Sequence, residues 1–524
     1  MKQRSAYIVL TRIHFGDTVL GPVLFKRLFF ERALLWVVFF MGLFFANSIC
    51  AQKVYDFNAT CVQAYTEVNK LKIAPATALI AKAKQQNPQN LIPVLLDAYT
   101  DFYVLFLLEN PADYKFRFKN FERTIEALEE GPKNNPLYNY CLSNVYIHRA
   151  MVSLKFGHFW DAGWDIRRSF MLADENHKKF PAFTGDDLLY GALQGIVGTV
   201  PKGYQWLTNL LGMRGSQKEG MKMVANFANG TDVWAKLFSP ESHFIYPYLL
   251  FHLQNEKDAA LAFIKDKKLD LVNNHLHAWT AANLALNHKA SSQTKSIIEN
   301  RNKSADYVSL PFWDFELGCA KLYALDLDGA TPLLTKYTEQ FKGNFYIKDA
   351  LQKLSWANFL KGDLRAAEAA RKQIFLRGGT DTDADKQALK EAKLGVWPNP
   401  LLLKARLLTD GGYTKEALAI LQGKQQVFTS PPDKLEYVYR IGRIYEDLGK
   451  DTEAITYYKE TIKLGANQTA YFAARAALQA GQILEKRGQK KEAILFYEQC
   501  LAMEEHSYKN SLDQRAKAGI ARCK

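Results

Sequence analysis

The sequence predicts an all-α protein made of stacked helical hairpins, and three observations lead to this fold class. Two C-terminal segments, Tyr437–Ala466 and Ala474–Met503, nearly repeat each other. Both place a glycine, a second glycine, an alanine and a tyrosine at successive spacings of 7, 5 and 4 residues. From Phe57 onward the chain reads as helices joined by short turns, and no alternating β-branched run is long enough for a sheet.

The repeated spacing describes two antiparallel helices that approach each other closely. Small residues are needed where helices cross, so we predict Gly442 and Ala454 at the crossing, with Tyr445 and Tyr458 filling the space beside it. Gly449 is predicted to end the first helix, because a left-handed residue is needed there and glycine adopts that conformation at least cost. The matching positions of the second copy are Gly481, Gly488, Ala493 and Tyr497.

This pattern resembles the tetratricopeptide repeat, a helical hairpin of about 34 residues that stacks on its neighbours. The resemblance implies a tetratricopeptide-type helical-hairpin solenoid, wound as a right-handed superhelix of about ten hairpins. Further units with all or most of the spacing begin at Ala150, Gly318 and Ala405, and a looser unit spans Ala350–Ile374.

The first 51 residues are predicted to be a signal peptide. The uncharged run Ala33–Ala46 follows Arg32, and small residues from Ser48 to Ala51 come after it. Fourteen residues are too few for a comfortable transmembrane helix but suit the apolar core of a signal peptide. We therefore expect cleavage near Cys50 or Ala51 and export of the remaining chain. The alternatives are an uncleaved membrane anchor and lipidation of Cys50.

Two regions are predicted after the signal peptide. Residues 52–300 should form divergent helical repeats, and residues 301–524 should form tetratricopeptide repeats. Proline and glycine interrupt the helical pattern near the N-terminus, so the first two hairpins are predicted as helices over 58–70, 74–86, 91–108 and 114–129.

The order of three segments also resembles the inclusion-body-clearance family of eukaryotic tetratricopeptide proteins, also called the TPR-domain-39 family. These segments are the helix pair around Ala150 followed by Phe170, the glycine-rich stretch Tyr190–Val224, and the aromatic–Glu–Leu helix start Phe312–Gly318. The resemblance implies a non-enzymatic adaptor at mitochondria or lipid-rich bodies. The predicted export signal departs from that family, and it fits an envelope protein of a Gram-negative bacterium. Its Cys-Ala-Gln ending resembles signal peptides of the Bacteroidetes.

The sequence contains no motif for a known catalytic or cofactor chemistry. Gly-x-Ser-x-Gly, His-Glu-x-x-His, a phosphate loop and a dinucleotide fingerprint are all missing from it. His275 and His277 are two residues apart on a helix, so their imidazoles point in different directions and no metal site is expected there. The stretch Gly212–Gly215 is interpreted as a helix end and a tight turn. We therefore predict no enzyme activity, no cofactor and no metal.

A polar loop near residue 380 begins like a calcium-binding loop. Asp381, Asp383 and Asp385 alternate as calcium ligands do, but Lys386 stands where that loop requires glycine. The interpretation that we favour is an exposed loop in which Asp383 or Asp385 caps the following helix.

Charge and cysteine content exclude further classes of function. The formal net charge is +14, and no Lys/Arg block stands out, so a nucleic-acid partner is not expected. No CxxC motif occurs, which excludes a zinc ribbon. Cys141, Cys319 and Cys500 are expected in the core, and export leaves a Cys500–Cys523 disulfide open.

Helical solenoids bind partners along the concave face formed by the first helix of each hairpin. The arginines of this face could pair with carboxylates on a partner peptide, or they could form ion pairs within the helix surface. The predicted concave-face residues are Leu402, Arg406, Tyr439, Arg443, Glu446, Arg475, Leu478 and Gln482.

The predicted function is an exported, non-catalytic scaffold that binds a protein or peptide segment in the cell envelope, in the periplasm or at the outer membrane. The first alternative is a lipid- or glycan-associated adaptor attached peripherally to the outer membrane through aromatic residues near Trp206, Trp234 and Trp313. The second is a glycan-processing enzyme, which would need paired carboxylates in a pocket.

Overall fold

The computed structural model describes residues 52–199, 211–506 and 508–524. Within these ranges the structure is helices joined by turns, and its β-structure is an isolated bridge between Val54 and Asn90, which confirms the all-α prediction. Val54–Lys524 form one compact unit. The predicted signal peptide and Trp206 lie outside the described residues. In the ranges that are described, no helix combines the length and apolar character needed to cross a membrane.

Consecutive helices pack mainly against each other, as in the predicted stack of hairpins. The described helices of the N-terminal part are α1 (Ala59–Asn69), α2 (Ile73–Gln86), α3 (Ile92–Leu108), α4 (Pro111–Arg117), α5 (Asn120–Glu129), α6 (Pro136–Lys155), α7 (Phe159–Lys179), α8 (Asp187–Val197), α9 (Gln217–Asn229), α10 (Val233–Leu237), α11 (Ser239–His252), α12 (Lys257–Asp266), α13 (His275–Asn287), α14 (Ser291–Asn300), α15 (Phe312–Tyr323) and α16 (Leu327–Gln340). Those of the C-terminal part are α17 (Ile347–Lys361), α18 (Leu364–Leu376), α19 (Asp383–Leu394), α20 (Pro400–Gly411), α21 (Thr414–Leu421), α22 (Pro431–Asp447), α23 (Asp451–Gly465), α24 (Phe472–Lys486), α25 (Lys490–Ala502) and α26 (Lys509–Cys523).

The helix predicted over 114–129 is wrong, because the chain breaks there into α4 and α5. Pro111 starts α4 early, with Asn110 accepting a hydrogen bond from the Ala112 backbone N–H. On the two sides of the break, Arg117 and the Asn120 amide donate to Asp101 at 2.7 and 3.0 Å. A largely buried carboxylate thus holds the bend.

The repeated glycines act as predicted in the C-terminal hairpins. A Cβ on Gly442 would lie 2.8 Å from the Tyr458 ring, so the missing side chain makes room for that ring. The second copy repeats this contact between Gly481 and Tyr497. Gly449 has a φ of +70° at the helix end, as the left-handed turn requires.

The glycine-rich stretch Tyr190–Val224 brings two backbones together. A Cβ on Gly220 of α9 would lie 2.5 Å from the carbonyl oxygen of Gly191 and 2.8 Å from the Cα of Gly195, both on α8. Helices α8 and α9 therefore touch backbone to backbone, which explains why this segment is rich in glycine. Gly212 has a φ of +75°, as expected of a tight turn.

A buried polar network fills the interior of the N-terminal part. Glu241 of α11 accepts hydrogen bonds from the Tyr65 hydroxyl of α1 at 2.8 Å and from the Tyr99 hydroxyl of α3 at 3.1 Å. Tyr99 also contacts Asn144 of α6 at 3.2 Å. Burial raises the pKa of Glu241, although the two tyrosines oppose that effect. This network of hydrogen bonds joins helices from four different hairpins.

The first and middle repeats are also joined directly. Glu109 accepts from Lys155 Nζ at 2.7 Å and from the backbone N–H of Asn344, 235 residues further along, at 3.2 Å. The Val308 backbone N–H donates to the Leu71 carbonyl at 2.9 Å. The early and late repeats of the chain from Val54 to Tyr346 are therefore in direct contact.

The described cysteines are buried free thiols. The three that were predicted in the core, Cys141, Cys319 and Cys500, lie there. Cys500 and Cys523 are not joined by a disulfide.

Candidate functional site

A cleft of about 370 Å³ opens in the C-terminal part of the structure. Helices α17 to α20 form one side of it, and α22 with the start of α24 forms the other. Residues from Gln352 to Tyr508 meet in this cleft. Those on which its chemistry depends are Trp356, Arg371, Glu391, Val396, Trp397, Arg406, Glu436, Arg440, Tyr471 and Phe472.

The loop between α19 and α20 presents two apolar side chains to the cleft. Gly395 ends α19 with a φ of +68°, and the Asn399 side chain caps α20 by accepting from the Leu401 backbone N–H at 3.0 Å. These two ends fix a short loop that carries Val396 and Trp397. Val396 is 75% exposed at the rim.

Two tryptophans of the cleft are covered by arginines. Trp397 stacks on Phe359 with ring centroids 4.7 Å apart, and the Arg371 guanidinium lies 4.3 Å from the Trp397 ring. The Arg406 guanidinium lies 4.7 Å from the ring of Trp356. Such cation–π contacts hold planar donors and flat apolar surfaces in fixed positions.

Two carboxylates of the cleft are paired with arginine, whereas a third, Asp433, accepts from the Asn399 amide at 3.3 Å. Glu391 accepts from Arg406 at 3.3 Å and from Gln387 at 2.7 Å, and Glu436 accepts from Arg440 Nε at 2.9 Å. Burial acts to raise the pKa of Glu391, but Arg406 and Gln387 outweigh it and lower that pKa. A carboxylate with a lowered pKa is a poor general acid, so Glu391 does not fit the acid of a glycan-hydrolysing pair.

Arg371 keeps a donor that the protein does not use. Its Nη2 contacts Glu368, while its Nη1 is buried and has no hydrogen-bond partner. A buried N–H group without a partner is unfavourable. An anionic group entering the cleft would relieve this cost.

Aromatic side chains form the opposite wall. The Tyr471 and Phe472 rings lie 4.6 Å apart, and Tyr508 meets Tyr471 edge-on at 5.4 Å. The Tyr508 hydroxyl donates to Gln387, and this contact connects the last repeat to α19. The cleft is thus bounded by residues more than 100 positions apart in the sequence.

Of the predicted concave-face residues, Arg406 lies in the cleft. Leu402, Tyr439 and Leu478 are buried in the hydrophobic core, so the prediction that they line an open surface is wrong. The first helix of each hairpin packs both on its own partner and on the next hairpin, which buries most of its circumference. A simple concave face assigned from sequence therefore includes core positions.

Arg443 and Glu446 lie between two repeats instead of in the cleft. Glu446 accepts from the Gln479 amide at 2.6 Å and from the Tyr458 hydroxyl, and Arg443 lies 3.4 Å from the Tyr439 hydroxyl. Their contacts join α22 to α23 and α24. These contacts are structural, and any role in binding stays a prediction.

Arg475 and Gln482 are half-buried on α24. Burial and the neighbouring Arg475 lower the pKa of Arg515, and burial, Lys289, Arg515 and Arg475 lower that of Lys257. Arg475 therefore belongs to a basic surface formed by residues from distant helices.

Sequence reasoning missed Trp356, Arg371 and Trp397. Their contribution depends on packing between hairpins, which the repeat spacing does not describe. One available signal was the sequence Trp397-Pro-Asn-Pro, because Asn before Pro marks a helix start and places an aromatic residue in the preceding loop.

The polar loop near residue 380 also differs from its prediction. The helix begins at Asp383 and is capped by Thr382, whose hydroxyl accepts from the Asp385 backbone N–H at 3.0 Å. Asp385 is buried, and it accepts from the backbone N–H groups of Tyr346 and Asp349 at 2.8 and 3.0 Å. This aspartate therefore holds the start of α17.

The two histidines, His275 and His277, bind separate carbonyl oxygens, those of Asn302 and Pro240.

The fold and the cleft define a class of protein, a helical-hairpin scaffold with an open cleft. Residues 435–466 and 474–507 match the tetratricopeptide repeat family, which confirms the predicted repeats in these segments. Repeats of this kind are binding scaffolds for proteins, and the match indicates no enzymatic family.

Comparisons over longer spans are weaker. The structure is similar to that of the APC/C hetero-tetramer Cut9-Hcn1, with 11% identity, 86% of this chain and 95% of that chain covered, and a TM-score of 0.27. It is also similar to the P58(IPK) TPR domain, with 15% identity, coverage of 82% and 97%, and a TM-score of 0.21. At these values neither structure bears on the partner of this chain. No curated protein matches the sequence.

Proposed function

We propose that this chain is a non-catalytic scaffold that binds an extended segment of a partner protein in the cleft between α17 and α24. The observation that carries this proposal is the apolar rim beside aromatic walls. Val396 and Leu394 are exposed next to Trp397 and Tyr471. Exposed apolar side chains beside a concave aromatic surface are typical of protein-binding sites.

The charges of the cleft suggest the chemistry of the segment. The acidic residues Glu391 and Glu436 are already paired, whereas Arg371 has a buried donor without a partner. Guanidinium groups bind carboxylates through two parallel hydrogen bonds. We therefore expect a segment with an acidic side chain, or a terminal carboxylate, close to an apolar or aromatic residue.

Selection from a displayed library of 12-residue peptides on the full chain tests this proposal, followed by affinity measurement for the selected peptides. Val396→Glu should weaken their binding at least tenfold, because a charge replaces an apolar rim contact. Leu376→Glu is the matched control, since Leu376 is 74% exposed but does not line the cleft. Equal affinities for the two variants, or no selected peptide, would contradict the proposal.

We also propose that the scaffold acts outside the cytoplasm, in the periplasm or at the outer membrane. The support is the short apolar run Ala33–Ala46 after Arg32, which has the length of a signal-peptide core. Cell fractionation followed by N-terminal sequencing tests this location. A mature chain that starts near Gln52 in an envelope fraction is expected, and an uncleaved cytoplasmic chain would contradict it.

A second candidate function is peripheral attachment to a lipid surface. Trp313 is buried, so it cannot serve as the predicted aromatic contact, and Trp234 is half-buried and packs on Phe238. However, Trp160 and Trp164, on one face of the first turns of α7, are 86% and 62% exposed. Exposed tryptophans favour the membrane interface.

Flotation with anionic liposomes tests this second function. The chain should float with the vesicles, and the double variant Trp160→Ser/Trp164→Ser should not. Val233→Ser, which removes an exposed apolar side chain elsewhere, is the control. Absence of flotation, or equal flotation of all variants, would leave protein binding as the function.

A further inference from the structure

Three side chains with metal-binding groups converge where α7 leads into α8, and none of them lines the cleft. His177 lies in the last turn of α7, and Asp186 and Asp187 lie at the start of α8. One ligand atom of each lies within 4.8 Å of the other two. His177 Nδ1 and Asp187 Oδ1 are 3.4 Å apart, which is close to the ~3.4 Å between ligands of a tetrahedral Zn²⁺ with bonds of 2.0–2.1 Å.

Two buried oxygen atoms at this place have no hydrogen-bond partner. Asp186 is 2% exposed, and its Oδ1 is unpaired. Its other oxygen accepts from the amide of Asn176 at 3.3 Å. Asn176 is also buried, and its own Oδ1 is unpaired. An unsatisfied buried polar atom is costly, so two of them in one hydrogen-bonded pair point to a cationic ligand.

The charges of the group favour the same conclusion. Asp186 and Asp187 are adjacent carboxylates, and the cation paired with Asp187 in the described structure is His177, which carries a charge only when protonated. Thr184 of the same loop donates to a third carboxylate, Asp232, at 2.9 Å. Imidazole nitrogens are common ligands of transition metals, and a divalent ion would balance the carboxylates.

We propose that His177, Asp186 and Asp187 bind one divalent transition-metal ion of the Zn²⁺ class, with the Asn176 side-chain oxygen as a further donor. The imidazole nitrogen separates this site from a Ca²⁺ site, because Ca²⁺ prefers oxygen ligands alone. The ion would hold the end of α7 to the start of α8. This inference is independent of peptide binding in the cleft.

Calorimetric titration of the full chain with Zn²⁺ at pH 7 tests the proposal. One equivalent should bind, and Asp186→Asn and His177→Gln should each weaken the affinity at least tenfold. Asp161→Asn, which changes an exposed aspartate in the first turn of α7, should leave it unchanged. An equal concentration of Ca²⁺ should not displace Zn²⁺, and displacement would overturn the assignment to a transition metal.

Thermal unfolding provides a second measurement that also reports on folding. Zn²⁺ should raise the melting temperature of the unmodified chain but not that of Asp186→Asn. Without metal, Asp186→Asn should melt no lower than the unmodified chain, because it removes one of two adjacent like charges. His177→Gln, at a half-buried position, gives the same comparison if Asp186→Asn fails to fold. No bound equivalent, or binding that both variants leave intact, would overturn the proposal.

Discussion

Both parts of the solenoid consist of helical hairpins, but distant repeats contact each other in the N-terminal part, whereas a cleft stays open in the C-terminal part. From Val54 to Tyr346 the chain folds back on itself, and polar side chains such as Glu109 and Glu241 are buried between distant repeats. From Ile347 onward the corresponding surface remains a cleft, and the polar residues Glu391 and Arg406 line it. A hairpin stack therefore offers a binding surface only where its own chain does not occupy it.

The pKa values of carboxyl groups are also shifted in different directions in the two parts. Burial raises the pKa of Glu109 and Glu241, although hydrogen bonds oppose it. In the cleft, Arg406 and Gln387 outweigh burial and lower the pKa of Glu391. Burial thus dominates the pKa of the interior carboxyl groups, whereas neighbouring polar groups dominate that of the cleft carboxylate. The predictions below test this difference, beginning with the largest expected effect.

Removal of the Glu109 contacts, which join the early and late repeats of the N-terminal part, should lower the free energy of unfolding the most. Glu109→Ala leaves Lys155 Nζ and the Asn344 N–H without their acceptor. The free energy of unfolding should fall by about 3–5 kcal/mol, as it does when one partner of a buried ion pair is lost. Urea denaturation measures the change. As a control, Asp328→Asn breaks the exposed pair with Lys361 and should cost less than about 1 kcal/mol.

Replacing glycine by alanine at close helix contacts should also lower the free energy of unfolding by different amounts in the two parts. Gly220→Ala places a methyl group against the backbone of α8, which cannot move aside, and should cost about 3 kcal/mol. Gly442→Ala meets the ring of Tyr458, which can shift, and should cost about 1 kcal/mol. Chemical denaturation of both variants measures the difference. Equal losses would mean that backbone contact is not what makes the α8–α9 crossing rigid.

Glu316 should make stability depend on pH. It is buried on α15, its Oε1 accepts from Asn283 at 2.8 Å, and its Oε2 has no partner. Burial raises its pKa to about 8, whereas the ordinary value is 4.5. The folded chain therefore keeps a proton that the unfolded chain releases above pH 4.5. The contribution of this proton to the free energy of unfolding is complete below pH 4.5. As pH rises from 4.5 to about 8 that contribution is lost, and the free energy of unfolding falls by up to about 1.4 kcal/mol per pH unit.

Glu316→Gln should reduce that slope, measured as the free energy of unfolding at several values between pH 5 and 8, and Asp186, whose pKa burial raises to about 7, should account for part of what remains. Glu391→Gln is the control from the cleft. The pKa of Glu391 is lowered, so its contribution is lost only as pH falls below the ordinary value, and the slope between pH 5 and 8 should remain. An unchanged slope in Glu316→Gln would mean that Glu316 does not contribute to it.

Alanine substitutions at two further glycines should change the free energy of unfolding by small amounts of opposite sign. Gly449 ends α22 with a φ of +70°, so Gly449→Ala should lower the free energy of unfolding by about 1–2 kcal/mol. Gly163 lies inside α7 with open space around it, so Gly163→Ala should raise that free energy by about 0.5–1 kcal/mol. Thermal melts of the two variants should shift in opposite directions.

The hairpins were predictable because their signals are local. The spacing from Gly442 to Tyr458 lies within one hairpin, and it correctly placed the small residue against the ring. Gly449 was predictable for the same reason, since a helix end is set by its own residue. The all-α class follows from many such local signals.

The cleft and the closed interior were not predictable, because both depend on contacts between residues far apart in the sequence. Asn344 and Glu109 are 235 residues apart in the sequence, and no sequence feature near either residue predicts their contact. Leu402 and Leu478 were assigned to an open face although neighbouring hairpins bury them. Periodicity identifies the side of a helix that is apolar, but it does not tell which hairpin covers the remaining sides.

The hydrogen bond between Glu109 and the loop before α17 limits the gain and loss of hairpins during the evolution of this protein. In most repeat proteins a unit can be gained or lost with local effects, because each unit touches only its neighbours. Here, deleting one hairpin between residues 110 and 340 would move Asn344 away from Glu109 and expose a charged side chain. The number of hairpins between these two residues is therefore constrained by the contact itself.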